Sequence, residues 1–262
     1  MVEEYKVYAR GVNSAGEITK KGLGVGDWMN RLSEIYYHAD KNKFSEINII
    51  SNSDTIKKNN PQSTPVPTFL NNPQIANLYL KQPSFKVNYE YKNVNGGNKR
   101  GHYDYLGKYW PAKIKHSGGD YIVVYVCIKE QIRNRSFLGT TGGFTQSEFI
   151  KLQDSLKHLK TLWLKDFNLD RNPSKNNLPS KNYEIGDIKY YNDFVSYLLN
   201  ILSHCRLYIG SECFYTHLCK AMGTPFICLD SRINRVTRKN YYNHTNVAFD
   251  NVDELINFIK IL

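Results

Sequence analysis

The fold is decided by the stretch Leu207-Tyr-Ile-Gly-Ser-Glu-Cys-Phe-Tyr-Thr-His-Leu-Cys-Lys-Ala-Met-Gly-Thr-Pro-Phe-Ile-Cys-Leu229. Its pattern predicts a buried strand, a polar turn, a short helix that ends at a glycine, and a second buried strand. Gly210, Ser211 and Glu212 lie in the turn, and His217 follows on the helix. Open α/β sheets bind ligands at the carboxyl ends of their strands, and helix amides hold phosphate. The stretch therefore predicts an α/β protein with a nucleotide-like ligand.

Composition excludes several classes of protein. The 262 residues carry a formal net charge of +11, which favours anionic partners. No apolar run approaches the roughly 20 residues that span a bilayer. The charged N-terminus, residues 1–10, lacks the apolar core of a signal peptide, so we expect a cytoplasmic protein. The five cysteines include no Cys-x-x-Cys pair, which indicates neither a zinc site nor a disulfide framework.

The order of predicted elements indicates two Rossmann-like domains. In the first half, a strand at 5–9, a helix from about Asp27 to His38 and a strand at 47–50 form a βαβ unit, which implies a parallel sheet. The second half predicts a central strand at 121–128, a helix at 145–159 and strands at 162–164, 207–209 and 226–229. The glycine-rich stretch at 117–119 predicts the boundary, giving domains 1–117 and 118–262, the first of them small.

A glycine-rich loop precedes the first predicted helix. It reads Gly22-Leu-Gly24-Val-Gly26-Asp27, and its alternating glycines allow a close approach between backbone and ligand. The spacing differs from that of a dinucleotide fingerprint, and no Walker-type Gly-Lys-Ser/Thr follows. Two interpretations of Asp27 remain open. It is either a first-turn or N-cap acid favoured by the helix dipole, or a general base facing the ligand.

Charged side chains follow two of the predicted strands of the second half. Glu212 is either a capping acid or a carboxylate that accepts hydrogen bonds from a ribose, and His217 is either a core histidine or a ligand contact. Lys129 and Arg133 follow the central strand and are either solvated loop charges or cations for a phosphate. We expect no metal site among these residues.

Together these motifs resemble the heptosyltransferase-like glycosyltransferases, family 9 of the GT-B fold. The residues that carry the resemblance are Ile209-Gly-Ser-Glu-x-x-x-x-His217-Leu-x-x-Ala221-Met-Gly-Thr-Pro225, the turn Gly24-Val-Gly-Asp27, and Lys129. The resemblance implies an inverting, metal-independent glycosyltransferase. In that family the equivalent of Asp27 is the proposed base. The resemblance implies that Lys129 and a helix starting near Ser211 stabilise the diphosphate, and that Glu212 and His217 anchor the nucleotide of the donor. A UDP-sugar is the first expectation, as a co-substrate and not a cofactor.

The acceptor is expected in the first half of the chain. Residues 1–116 carry 17 Lys and Arg against 10 Asp and Glu, and tyrosines alternate with basic residues between Lys86 and Lys115. Such a mixture suits DNA, so a hydroxymethylated base is the favoured acceptor, and a viral source is suggested by the Lys- and Asn-rich composition. A glycan or lipopolysaccharide acceptor is one alternative. Another is a non-catalytic nucleotide-sugar or nucleic-acid binding protein, because the family usually has glycine where this chain has Phe214.

Overall fold

The computed structural model describes residues 2–7, 11–12, 18–19, 25–52, 80–92, 105–106, 113–126, 144–164, 197–229 and 246–261. The chain forms two compact units, Met1–Lys113 and Ile114–Leu262. Both contain a parallel sheet, so the fold is α/β as predicted. Within the described residues, no helix combines the length and the apolar character that crossing a membrane requires.

The first unit is built on a three-stranded parallel sheet. Its described elements are β1 (Val2–Val7), the short antiparallel pair β2 (Gly11–Val12) and β3 (Ile18–Thr19), α1 (Val25–Lys41), β4 (Glu46–Ser51) and β5 (Lys86–Tyr91). The order in the sheet is β1-β4-β5, with Val2 opposite Glu46 and Glu46 opposite Lys86. The predicted unit of strand, helix and parallel strand is confirmed.

Helix α1 buries one apolar face. Trp28, Leu32, Ile35 and Tyr36 are all buried. The Tyr36 ring packs edge-on against Phe85, and its hydroxyl lies 3.1 Å from that of Tyr89 on β5. The helix begins at Val25, two residues before the predicted start, because burial of this face outweighs the low helix propensity of glycine.

The second unit is a five-stranded parallel sheet. Its described strands are β6 (Ile122–Tyr125), β7 (Thr161–Leu164), β8 (Leu207–Ser211), β9 (Phe226–Leu229) and β10 (Asn246–Phe249). The described helices with complete bounds are α2 (Gln146–Leu156), α3 (Phe214–Met222) and α4 (Val252–Ile259), and residues 197–203 are also helical. The order is β10-β9-β8-β6-β7, so β6, which was predicted to be central, is an interior strand next to the edge strand β7.

Helices cover both faces of this second sheet. On one face Ile122, Val124 and Ile209 form a core with apolar residues of α2 and α4. On the other face the ring of Tyr215, on α3, packs edge-on against Tyr125 at a centroid distance of 4.5 Å. Because both faces are covered, the strands are continuous apolar runs and do not alternate with polar residues. This is the arrangement of an open, doubly wound α/β sheet.

Local signals fix the ends of the helices. The Thr145 hydroxyl accepts a hydrogen bond from the Glu148 N–H, and the Glu148 carboxylate accepts from the Thr145 N–H, which makes a capping box. Thr145 is therefore the N-cap of α2, and the helix proper begins at Gln146. Gly223 ends α3 with φ of 82°, a left-handed conformation that favours glycine. The last helix begins at Val252, and the Asn251 side chain caps it by accepting from the N–H groups of Asp253 and Glu254.

Strand β10 has no counterpart in the sequence prediction. It has four residues, and only Val247 and Phe249 are typical of strands. Its pairing with β9, Asn246 opposite Phe226, supplies the hydrogen bonds that make it a strand. The local sequence does not encode that long-range partner.

Candidate functional site

The strand order of the second unit reverses between β6 and β8. From β6 the chain passes to β7 on one side, and β8, β9 and β10 follow on the other side. In open α/β sheets, ligands bind outside the carboxyl ends of the strands at such a reversal. The described residues at this place are Tyr125 at the end of β6 and Ser211 at the end of β8. The turn predicted to bind a nucleotide therefore lies at the topological switch point.

Gly210 lets the two strands of the switch point approach each other. It lies opposite Tyr125 in the register of β6 and β8. A Cβ atom added at residue 210 would overlap the backbone carbonyl of Tyr125 and would lie 3.1 Å from the Tyr208 hydroxyl. The glycine is thus required by strand packing, a role that the sequence did not reveal because the register of β6 against β8 is a long-range property.

The turn after β8 is held by one side-chain and one backbone hydrogen bond to backbone carbonyls. Ser211 is fully buried, and its carbonyl accepts a hydrogen bond from the Tyr208 hydroxyl at 3.4 Å. The Glu212 N–H donates to the Leu229 carbonyl at 2.9 Å, which extends the pairing of β8 with β9 beyond the strands. The expectation that the helix starts near Ser211 is wrong, because α3 begins at Phe214, after this extended pairing ends.

Glu212 and His217 form a buried pair across the start of α3. Glu212 Oε1 lies 3.5 Å from His217 Nε2, and the two side chains are only 5% and 8% exposed. Glu212 is not a capping residue, since the N-cap of α3 is Cys213. A carboxylate and an imidazole that are removed from water need partners, and each has the other within reach here. The pair fixes the turn against the helix.

The start of α3 presents amide groups without a side-chain cap. Cys213, the N-cap residue, makes no capping hydrogen bond through its side chain. Its Sγ instead lies 3.8 Å from the Tyr208 hydroxyl, and its carbonyl accepts from the Thr216 hydroxyl at 2.6 Å. The Thr216 N–H also donates to that carbonyl, at 3.1 Å. The N-terminus of a helix attracts an anion through its first N–H groups and its dipole.

The remaining predicted site residues divide into two groups. Lys129, Arg133, Gly22 and Gly24 lie outside the described residues. Gly26 and Asp27 lie in the first turn of α1 and not in the loop before it. Gly26 is buried, and the Asp27 side chain is not among the described atoms. The structure therefore brings together Gly210, Ser211, Glu212 and His217, all from one segment of the second unit.

The sequence missed two side chains of this site. Tyr208 contacts Ser211 and Cys213 through its hydroxyl, and Tyr215 packs against Tyr125 at the end of β6. Both are apolar-pattern residues of the strand and the helix, so their periodicity indicated only core. Among the described residues there is no group of three His, Cys, Asp or Glu side chains that could hold a metal ion.

Comparison of the chain with protein-family models, with curated proteins and with solved structures finds no match.

Proposed function

We propose that this protein is an inverting glycosyltransferase of the GT-B type, which transfers a sugar from a nucleotide-sugar to an acceptor hydroxyl without a metal ion. The observation that carries the proposal is the buried Glu212–His217 pair at the switch point of a doubly wound sheet. A nucleotide needs a carboxylate for its ribose hydroxyls and amides for its phosphates. The turn after β8 supplies both types of group within three residues.

The donor would bind at the carboxyl end of β8. Glu212, oriented by His217, accepts hydrogen bonds from the ribose hydroxyls, while the uncapped start of α3 receives the diphosphate. Gly210 and Ser211 hold the turn in place. Lys129 and Arg133, which follow β6 in the chain, add the cations that stabilise the charge of the leaving group.

The reaction would proceed in one displacement. The carboxylate of Asp27 takes the proton of the acceptor hydroxyl, and the oxygen attacks the anomeric carbon of the sugar. The bond from that carbon to the diphosphate oxygen breaks as the new bond forms, and a nucleoside diphosphate leaves with its electron pair. Because attack and departure occur on opposite faces, the configuration at the anomeric carbon inverts.

A hydroxymethylated base in DNA is the proposed acceptor. The support is the surplus of Lys and Arg over Asp and Glu in residues 1–116, together with the tyrosines between Lys86 and Lys115. Basic side chains neutralise phosphates, and aromatic rings stack on bases. A base inside a duplex would have to be flipped out to reach a catalytic residue.

A melting-temperature screen with UDP-, ADP-, GDP- and CMP-sugars tests the donor site. A ligand that binds only the native state stabilises it by about 2.7 kcal/mol at a hundredfold excess over Kd. We expect one nucleotide class to raise the melting temperature of the wild type and to lose most of that effect in Glu212→Gln. Asp253→Asn, an exposed acid on α4, should respond like the wild type. No shift with any nucleotide-sugar would contradict the donor site.

A further inference from the structure

Three buried polar atoms at the start of α1 have no hydrogen-bond partner among the residues that the structure describes. They are Nε1 of Trp28 and both amide atoms, Oδ1 and Nδ2, of Asn30. Trp28 is fully buried, and Asn30 is 3% exposed. Elsewhere in the described part of the chain, every buried side-chain nitrogen and oxygen has a partner. Unpaired buried groups are rare because the cost of removing them from water is not offset by a hydrogen bond. A residue with two such atoms therefore calls for a partner that the described residues do not supply.

The contrast with Ser33 shows that this is a property of Asn30 and not of the helix. Ser33 lies on the same helix and is fully buried, but its hydroxyl donates to the Met29 carbonyl at 2.7 Å. Asn30 has no such local solution. Two residues along a helix correspond to about 200° of rotation, so Trp28 and Asn30 point to different sides, and the inference concerns Asn30 alone.

The position of Asn30 places its amide near the start of the helix. Side chains on an α-helix lean towards its N-terminus, so the Asn30 side chain covers the turn that contains Gly26. Gly26 is buried and has no side chain to fill that turn. The first N–H groups of α1, which have no partner inside the helix, lie at the same end. The predicted base Asp27 is in this turn as well.

We propose that Asn30 is a binding residue for the acceptor and that its carboxamide pairs with the edge of a nucleobase. This inference rests on the proposed function, in which the first half of the chain holds the acceptor. A carboxamide has a hydrogen-bond acceptor, its oxygen, beside a hydrogen-bond donor, its NH2 group. It therefore matches an uncharged base edge that presents a hydrogen-bond donor beside a hydrogen-bond acceptor. A base flipped out of the stack is read through such an edge. The first half of the chain has an excess of basic residues, which favours binding of a nucleic acid over binding of a neutral sugar.

The test compares two single-stranded oligonucleotides by fluorescence anisotropy at one salt concentration. One carries a single 5-hydroxymethylcytosine, and the other has an abasic site at that position. We expect the wild type to prefer the first by about tenfold, as one bidentate contact provides. In Asn30→Leu the preference should disappear while the melting temperature stays the same or rises, because the unpaired polar atoms are removed. Ser33→Ala, the matched control on the same helix, should keep the preference.

A wild type without preference for the modified base, or an Asn30→Leu variant that retains it, would overturn the inference. A fall in melting temperature with loss of binding to both oligonucleotides would also overturn it, by giving Asn30 a structural role. If the leucine variant does not fold, Asn30→Asp decides, since it keeps the size and replaces the amide donor with an oxygen. Retained preference in that folded variant contradicts the inference, and lost preference supports it. The assay contains no nucleotide-sugar, so it is independent of whether the protein transfers sugar.

Discussion

The backbone carbonyl of Tyr125 occupies the space that a side chain at Gly210 would need. These two residues are register partners at the carboxyl ends of β6 and β8, the strands between which the order of the sheet reverses. The same contact therefore sets the spacing of the sheet and the position of the turn that carries Glu212. A change there should affect stability and ligand binding together.

Gly210→Ala should destabilise the protein by about 3 kcal/mol, since β6 and β8 must separate to admit a methyl group. Urea denaturation followed by circular dichroism measures the loss. Gly223→Ala is the matched control because nothing lies within 4 Å of its added Cβ atom, although its φ of 82° is strained. That variant should lose only about 1 kcal/mol. Equal decreases in the free energy of unfolding of the two variants would contradict a destabilising clash between residue 210 and the Tyr125 carbonyl.

The Glu212–His217 pair should be energetically coupled. Either substitution removes the direct contact of a buried carboxylate with a buried imidazole, so Glu212→Gln and His217→Gln should each cost about 3 kcal/mol. The double variant should lose clearly less stability than the sum of the two single variants. A double-mutant cycle measured by urea denaturation gives this difference. The exposed pair of Lys151 and Asp253, with a separation of 3.1 Å, provides the control, and Asp253→Asn should change stability by no more than about 1 kcal/mol. Additive losses at residues 212 and 217 would contradict the coupling.

Stability should fall at high pH because two buried thiols cannot ionise in the native state. Burial raises the pKa of Cys205 to about 12 and raises the pKa of Cys219 well above its usual value. Below about pH 9 the thiols are protonated in both states and the full stability is present. Between about pH 9 and pH 12 the unfolded chain loses these protons and the native protein does not, so the free energy of unfolding decreases.

Urea denaturation at a series of pH values measures this decrease, with a limiting slope of about 1.4 kcal/mol per pH unit for each thiol. Cys205→Ala should make the slope shallower. Cys213→Ala is the control because Cys213 is only half-buried. In this variant the part of the slope that comes from Cys205 and Cys219 should not change. A slope in Cys205→Ala equal to that of the wild type would contradict the assignment.

Local patterns were enough to predict most of the elements. The apolar run of β6, the capping box at Thr145 and the glycine stop at Gly223 are signals that lie within a few residues of the structures they cause. The order of the strands, strand β10 and the Gly210–Tyr125 contact depend on pairing between distant segments. Such pairing leaves no local signal, so it could not be predicted.

The candidate site was predicted by residue type but not by environment. Glu212 and His217 were identified from their place after a strand, yet their mutual burial follows from how α3 packs on the sheet. The start of α3 was misplaced because Glu212 continues the pairing with β9, a partner that the turn sequence does not specify. The unpaired amide of Asn30 was missed since an asparagine inside a helical pattern gives no sign of whether its partners exist.

Release of nucleoside diphosphate is the most direct test of the central claim that this protein is a glycosyltransferase with Asp27 as its base. The assay combines the nucleotide-sugar selected by the melting-temperature screen with an oligonucleotide that carries 5-hydroxymethylcytosine. We predict release by the wild type, a rate lower by about 10²- to 10⁴-fold in Asp27→Asn, and an unchanged rate in Asp40→Asn, an exposed acid on the same helix. No release by the wild type with any donor and acceptor, or equal rates for the wild type and Asp27→Asn, would contradict the account.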